Sequence, residues 1–133
     1  MMNTLTVLLL VLSLCCCTGQ RMESIPSSSL VKKPGETLNL SCRGSGFTFT
    51  DYYMHWIKQP AGKGLEWLGF GSNNPSNNRY TSSLSGRIEV RKDSSNSMTH
   101  LTLSNLKPED SAVYYCAAET QWLNEHRGCT KTT

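Results

Sequence analysis

Cys42 and Cys116 each close a run in which apolar and polar residues alternate. Leu38, Leu40 and Cys42 share one face of the first run. Ala112, Tyr114 and Cys116 share one face of the second, with Val113 and Tyr115 on the other. A period of two marks a half-buried strand. Two inward cysteines so far apart would staple two sheets face to face. On the chain-entropy model, closing a loop of that length stabilises by about 4 kcal/mol.

Other runs repeat the pattern. Ile88-Glu89-Val90 and Leu101-Thr102-Leu103 alternate in the same way. Turn signals separate the runs at Lys33-Pro34-Gly35-Glu36, Pro60-Ala61-Gly62-Lys63-Gly64 and Lys92-Asp93-Ser94-Ser95-Asn96. No long segment has helical periodicity. The spacing predicts an all-β fold, a two-sheet antiparallel sandwich. Trp56 is placed to pack its indole on a Cys42–Cys116 bridge. Tyr114, two residues before the second cysteine, fits a corner in which its hydroxyl bonds back to nearby backbone.

The chain has six cysteines in all. Taken alone, that count suggests a three-bridge secreted miniprotein with 15 pairings. Position argues otherwise, because Cys15, Cys16 and Cys17 are adjacent and follow the apolar run Leu5–Leu14. That run is short of the roughly 20 residues a membrane helix needs. It reads instead as the core of a signal peptide, residues 1–19, cut after Gly19. No other stretch is long enough to span a bilayer, so no anchor is expected within these residues. A secreted setting permits disulfides.

Cys42, Trp56, Gly64-Leu65-Glu66-Trp67 and Glu109-Asp110-Ser111-Ala112-Val113-Tyr114-Tyr115-Cys116 together resemble an immunoglobulin heavy-chain variable segment. The resemblance covers residues 20–119. It implies a variable-type sandwich with one inter-sheet disulfide, Cys42–Cys116, and Trp56 and Tyr114 in the core. It implies an ion pair between Arg87 and Asp110 closing the lower end. Two departures stand out. Gly44 replaces a small apolar residue, so a little packing should be lost, and Thr99 takes an inward position that is usually apolar.

The same resemblance implies a partner face, formed by Ile57, Gln59, Leu65, Trp67 and Tyr115, that packs on an immunoglobulin light-chain variable domain. Leu65 and Trp67 alternate with Glu66 and project to one side. Large apolar groups exposed on a lone domain form a patch that needs a cover. Single-domain antibodies typically replace the equivalents of Gly64, Leu65 and Trp67, and this chain keeps all three. Residues 46–53 resemble the first antigen-binding loop, with Asp51, Tyr52 and Tyr53 as contacts. Residues 70–79 resemble the second, with Gly71, Ser72, Asn73, Asn74, Ser76, Asn77 and Asn78. Tyrosines supply rigid contact area, and Asn, Ser and Gly supply adaptable hydrogen bonds.

After Cys116 such a segment continues into a joining segment with a Trp-Gly-x-Gly or Phe-Gly-x-Gly motif and a last strand. Residues 117–133 contain neither motif. Thr120-Gln121-Trp122 can be encoded ACA CAG TGG, which contains CACAGTG, and Thr130-Lys131-Thr132 can be encoded ACA AAA ACC. These strings match the heptamer and nonamer of the recombination signal beside unrearranged variable genes. One leftover base and seven codons, Leu123 to Cys129, separate them, close to the long spacer of such signals. Residues 120–133 therefore read as disordered read-through of genomic DNA, and the chain as a germline segment. Its final strand would be absent, which leaves the Ala112–Cys116 strand at a sheet edge, where open pairing invites aggregation.

Other chemistry finds little support. The net charge is only +3, with no basic stripe, which argues against a nucleic-acid binder. His55, His100 and His126 are scattered, and no metal site is expected. His55, beside Trp56, should face the partner domain or the base of the loops. No HExxH, paired CxxC or nucleophile elbow occurs, and Gly62-Lys63-Gly64 lacks the rest of a phosphate loop, so neither enzyme nor cofactor is expected. Asn39-Leu40-Ser41 is a glycosylation sequon with Asn39 facing outward, although sequons inside strands beside a cysteine often go unused. Pro75 blocks a second sequon at Asn74. The expected function is antigen binding in adaptive immunity, secreted or at the cell surface as part of an immunoglobulin. The alternative is the variable domain of an innate or T-cell-type surface receptor, which Gly64-Leu65-Glu66-Trp67 disfavours against a T-cell receptor.

Overall fold

A computed structural model describes residues 19–120. Of the expected signal peptide, residues 1–19, all but Gly19 lie outside the described residues; of the expected read-through, residues 120–133, only Thr120 lies within them, where it ends the last strand opposite Tyr52. Eight strands follow one another: β1 (Arg21–Ile25), β2 (Leu38–Ser45), β3 (Tyr52–Gln59), β4 (Glu66–Gly71), β5 (Arg79–Tyr80), β6 (Ile88–Asp93), β7 (Met98–Leu103) and β8 (Val113–Thr120). They form two four-stranded antiparallel sheets, ordered β1-β2-β7-β6 and β5-β4-β3-β8. The helical elements among the described residues are five single 3-10 turns. The β3–β4 turn closes with a bond from Lys63 N–H to Pro60 O, 3.0 Å, and puts Gly62 at φ 70°, which only glycine adopts cheaply.

The inward faces make one core of Leu38, Cys42, Trp56, Leu68, Val90, Leu101 and Leu103, with Leu84, Ile88 and Leu106 closing its ends. Burying each such side chain contributes about 1.5–3 kcal/mol. Cys42 of β2 and Cys116 of β8 are bridged across the sheets, with Cα atoms 6.6 Å apart and a sequence separation of 74. Trp56 of β3 lies in the same buried cluster, 2% exposed. Thr99 of β7 is wholly buried, and its Oγ1 accepts the Trp56 indole N–H at 3.2 Å. The hydroxyl at this position thus satisfies the buried Trp56 indole donor.

Gly44 corrects an expectation, since no packing is lost there. A Cβ on Gly44 would lie 2.6 Å from Phe47 Cζ and 2.9 Å from Phe49 Cδ2. The two aromatic rings fill the space a larger residue would take. At the lower end, Arg87 Nη2 donates to Asp110 Oδ2, which also accepts the Lys107 N–H at 2.8 Å. Tyr114 Oη donates to Asp110 O at 2.5 Å. Burial beside the Asp110 charge pushes the Tyr114 phenol up to about 12. Among the described residues β8 has a neighbour only in β3, so it stands at the sheet edge.

Candidate functional site

Two regions collect the sequence-predicted site residues. The first is the end of the sandwich formed by the β2–β3 and β4–β5 connections. Phe49 turns into the core, and Phe47 lies between Phe49 and Tyr52, with ring centroids 6.0 and 4.8 Å away. Tyr52 and Tyr53 are not loop residues, because both begin β3 and both are half-buried. Tyr52 Oη accepts Gln20 Nε2 at 2.7 Å, and the Tyr53 ring packs on Phe70 at 5.0 Å.

The second connection divides in the same way. Gly71 ends β4 and is buried, where a Cβ would sit 3.1 Å from Val90 Cγ1. Ser72 is also buried; its N–H donates to Asn78 Oδ1 at 2.8 Å and its hydroxyl to Asn74 O at 2.5 Å. Asn78 is half-buried, and its Nδ2 donates to Val90 O at 2.9 Å. These groups build the loop from within. Asp51, Asn73, Asn74, Ser76 and Asn77 are the exposed members of the set. Asn74 caps the short turn Pro75–Asn77 by accepting the Ser76 N–H at 3.1 Å.

Asn73 joins the two connections. Its Nδ2 donates to Thr50 O at 2.8 Å, and its Oδ1 accepts Lys92 Nζ at 2.7 Å. Lys92 also donates to Tyr52 O at 2.5 Å and stands 5.2 Å from the Phe49 ring centroid, within cation–π range. Burial brings the Lys92 ammonium down to about 8, with Asp51 acting the other way. Lys92 carried no sequence signal beyond a turn, and it proves to be the last but one residue of β6.

The second region is the outer face of the β5-β4-β3-β8 sheet. Leu65 is 67% exposed, Trp67 41% and Tyr115 44%, with Ile57 and Gln59 half-buried beside them. Tyr115 Oη reaches Gln59 Oε1 at 3.4 Å. Val113, 56% exposed on the same side of β8 as Tyr115, extends the patch beyond the five residues that the resemblance implies. Trp67 does not fold into the core; its indole N–H donates to His55 Nδ1 at 3.0 Å. With Nδ1 accepting, the imidazole proton sits on Nε2 and is donated to Glu119 Oε2 at 2.5 Å. His55 also packs on Phe70 at 5.2 Å. This relay from β8 through β3 to β4 holds the exposed indole in one orientation.

A groove of about 630 Å³ runs between residues 24–34 and the start of β8, lined by Pro26, Leu30, Leu40, Leu106, Val113 and Tyr114. Among the described residues no three His, Cys, Asp or Glu side chains converge to hold a metal ion. No helix among them is long and apolar enough to cross a membrane.

A family model described as an immunoglobulin V-set domain matches residues 25–131, from the last residue of β1 to beyond the end of β8. Domains of this family are typically non-enzymatic binding modules, usually extracellular or at the cell surface. The paired sheets, the buried Cys42–Cys116 bridge against Trp56 and this match give one conclusion: the chain belongs to the immunoglobulin V-set family.

Proposed function

We propose that the chain is the germline variable segment of an immunoglobulin heavy chain, acting in antigen recognition once it is joined and paired with a light-chain variable domain. The observation that carries this reading is the patch of Leu65, Trp67, Val113 and Tyr115 on one sheet face. A lone domain rarely keeps so many large apolar groups uncovered on one face. Aromatic and apolar anchors at the centre of a flat patch are what a second variable domain buries. Gly64-Leu65-Glu66-Trp67, which leads into β4 and carries Leu65 and Trp67 of the patch, favours a heavy chain over a T-cell-type receptor.

Antigen would meet the exposed side chains of Asp51, Asn73, Asn74, Ser76 and Asn77, with Tyr52 and Tyr53 packed behind them. The groove beside β8 is where a strand supplied by a joining segment would lie, pairing with the open edge. Residues 120–133 then stand for DNA read through before joining, and residues 1–19 for a leader that directs the chain to secretion.

The test is mixing. Purified folded domain and a light-chain variable domain should co-elute as a heterodimer and sediment at the combined mass. A domain that stays strictly monomeric and refuses light chains overturns the reading. The genomic bases after the Glu119 codon decide the read-through separately: a heptamer other than CACAGTG refutes it.

A further inference from the structure

The β1-β2-β7-β6 sheet turns a second outer face to solvent, opposite the proposed partner face. On it stand Asn39 and Ser41 of β2, His100 and Thr102 of β7, and Glu89 and Arg91 of the edge strand β6, all polar. They line a shallow depression of about 170 Å³. Asn39 is exposed, and its Oδ1 accepts Thr102 Oγ1 at 3.1 Å. That bond orients the amide and leaves Nδ2 without a hydrogen-bond partner among the described residues. Ser41 Oγ, the sequon's hydroxyl, is bonded to His100 Nδ1 at 2.7 Å. Strand β1 stops at the Ile25–Ser41 register, so at Asn39 β2 has a strand neighbour on one side only, β7.

We propose that Asn39 carries an N-linked oligosaccharide whose first sugar lies over the polar floor of Ser41, His100 and Thr102. The inference rests on the secreted reading of residues 1–19. In the transfer, Asn39 Nδ2 forms a bond to C1 of an oligosaccharide carried on a polyprenyl diphosphate. The C1–oxygen bond to the diphosphate breaks, and the displaced Nδ2 proton leaves with the released diphosphate. The reaction must precede closure of the sandwich, because in the folded chain β2 is fixed to β7 and Cys42, next to the sequon, is bridged. Disulfide formation and glycosylation therefore compete for the same few residues. A glycan here shields the outer face of this sheet and leaves both the Leu65–Trp67 patch and the loop end free.

The test is translation of the full chain with endoplasmic-reticulum microsomes, under oxidising and reducing conditions. Protease protection reports import; a mobility shift removed by an N-glycan endoglycosidase reports the glycan. One shift is expected, larger in yield when disulfides form slowly, abolished in Asn39→Gln and Ser41→Ala and retained in Ser41→Thr. A second arm replaces residues 1–19 with a proven leader. Import in that arm alone refutes the leader reading while still deciding the glycan. Protected chain that stays unshifted under both conditions overturns the proposal, as does a shift that survives Asn39→Gln.

Discussion

Replacing Thr99 by valine isolates a single buried hydrogen bond. Valine has nearly the shape of threonine, so the substitution opens no cavity. What it removes is the Oγ1 that accepts the Trp56 indole N–H at 3.2 Å. Both residues are almost fully buried, so water cannot replace the lost acceptor. A buried donor left unpaired costs about 1–3 kcal/mol. Valine also avoids burying a hydroxyl, so the net loss should fall in the lower half of that range. In a Trp56→Phe background the sign changes, because the Thr99 hydroxyl is then itself unpaired. There Thr99→Val should be neutral or stabilising, which gives a coupling of at least ~1 kcal/mol between the two sites. The assay is urea unfolding of the oxidised chain followed by far-ultraviolet circular dichroism, with an unchanged slope showing that the comparison is of stability alone. Equal effects in the two backgrounds, or stabilisation by Thr99→Val in the parent, would refute the reasoning.

The lower end offers a second cycle: Arg87→Met should cost about 3–5 kcal/mol because it strands the buried Asp110 carboxylate, and adding Asp110→Leu should recover part of it in the same unfolding assay. A double variant weaker than Arg87→Met argues that the pair is not the coupled unit. Stability should also depend on alkaline pH through Lys92, whose ordinary value of 10.5 falls to about 8 on folding. Below about 8 the folded chain bears the full cost of holding the ammonium half-buried; between 8 and 10.5 it sheds the proton before the unfolded chain does, and stability rises. Tyr114 acts oppositely from 10 to about 12, and Lys92→Met should abolish only the first slope in a pH series of urea midpoints. On the partner face, Trp67→Ser removes the indole's bond to His55 and its packing on Phe70, and should cost about 1–2 kcal/mol in unfolding while leaving the domain folded. Its affinity for a light-chain variable domain should fall ~30-fold, a hot-spot loss of about 2 kcal/mol, measured by sedimentation.

The strands around Cys42, Val90, Leu101 and Cys116 were legible because period-two alternation is local and each strand buries one face. The positions of Trp56, Tyr114, Arg87 and Asp110 were legible because their contacts recur with the family's spacing. The function of Gly44 was not, because whether a missing side chain leaves a hole depends on where Phe47 and Phe49 point, which is settled by packing rather than by neighbours in sequence. The loops failed similarly. Tyr52, Tyr53, Ser72 and Asn78 have the residue types of a contact surface, but ladder pairing and hydrogen bonds to Val90 and Asn78 draw them inward. The Trp67–His55–Glu119 relay joins three strands and had no local signature, although the order aromatic, histidine, carboxylate on adjacent strands becomes obvious once the register is known.

The bonds of Asn73 carry a consequence for variation. Its amide touches Thr50 with one end and Lys92 with the other, and Lys92 reaches back to Tyr52. The two connections are therefore mechanically one object. A substitution at position 73 or 92 would reshape the surface shown by residues 48–52 without altering any of them. Improvement found in one connection would then depend on the sequence of the other, and changes selected separately should not add when combined. Sequence diversity at this end of the sandwich is coupled diversity, with Asn73 and Lys92 setting which combinations are compatible.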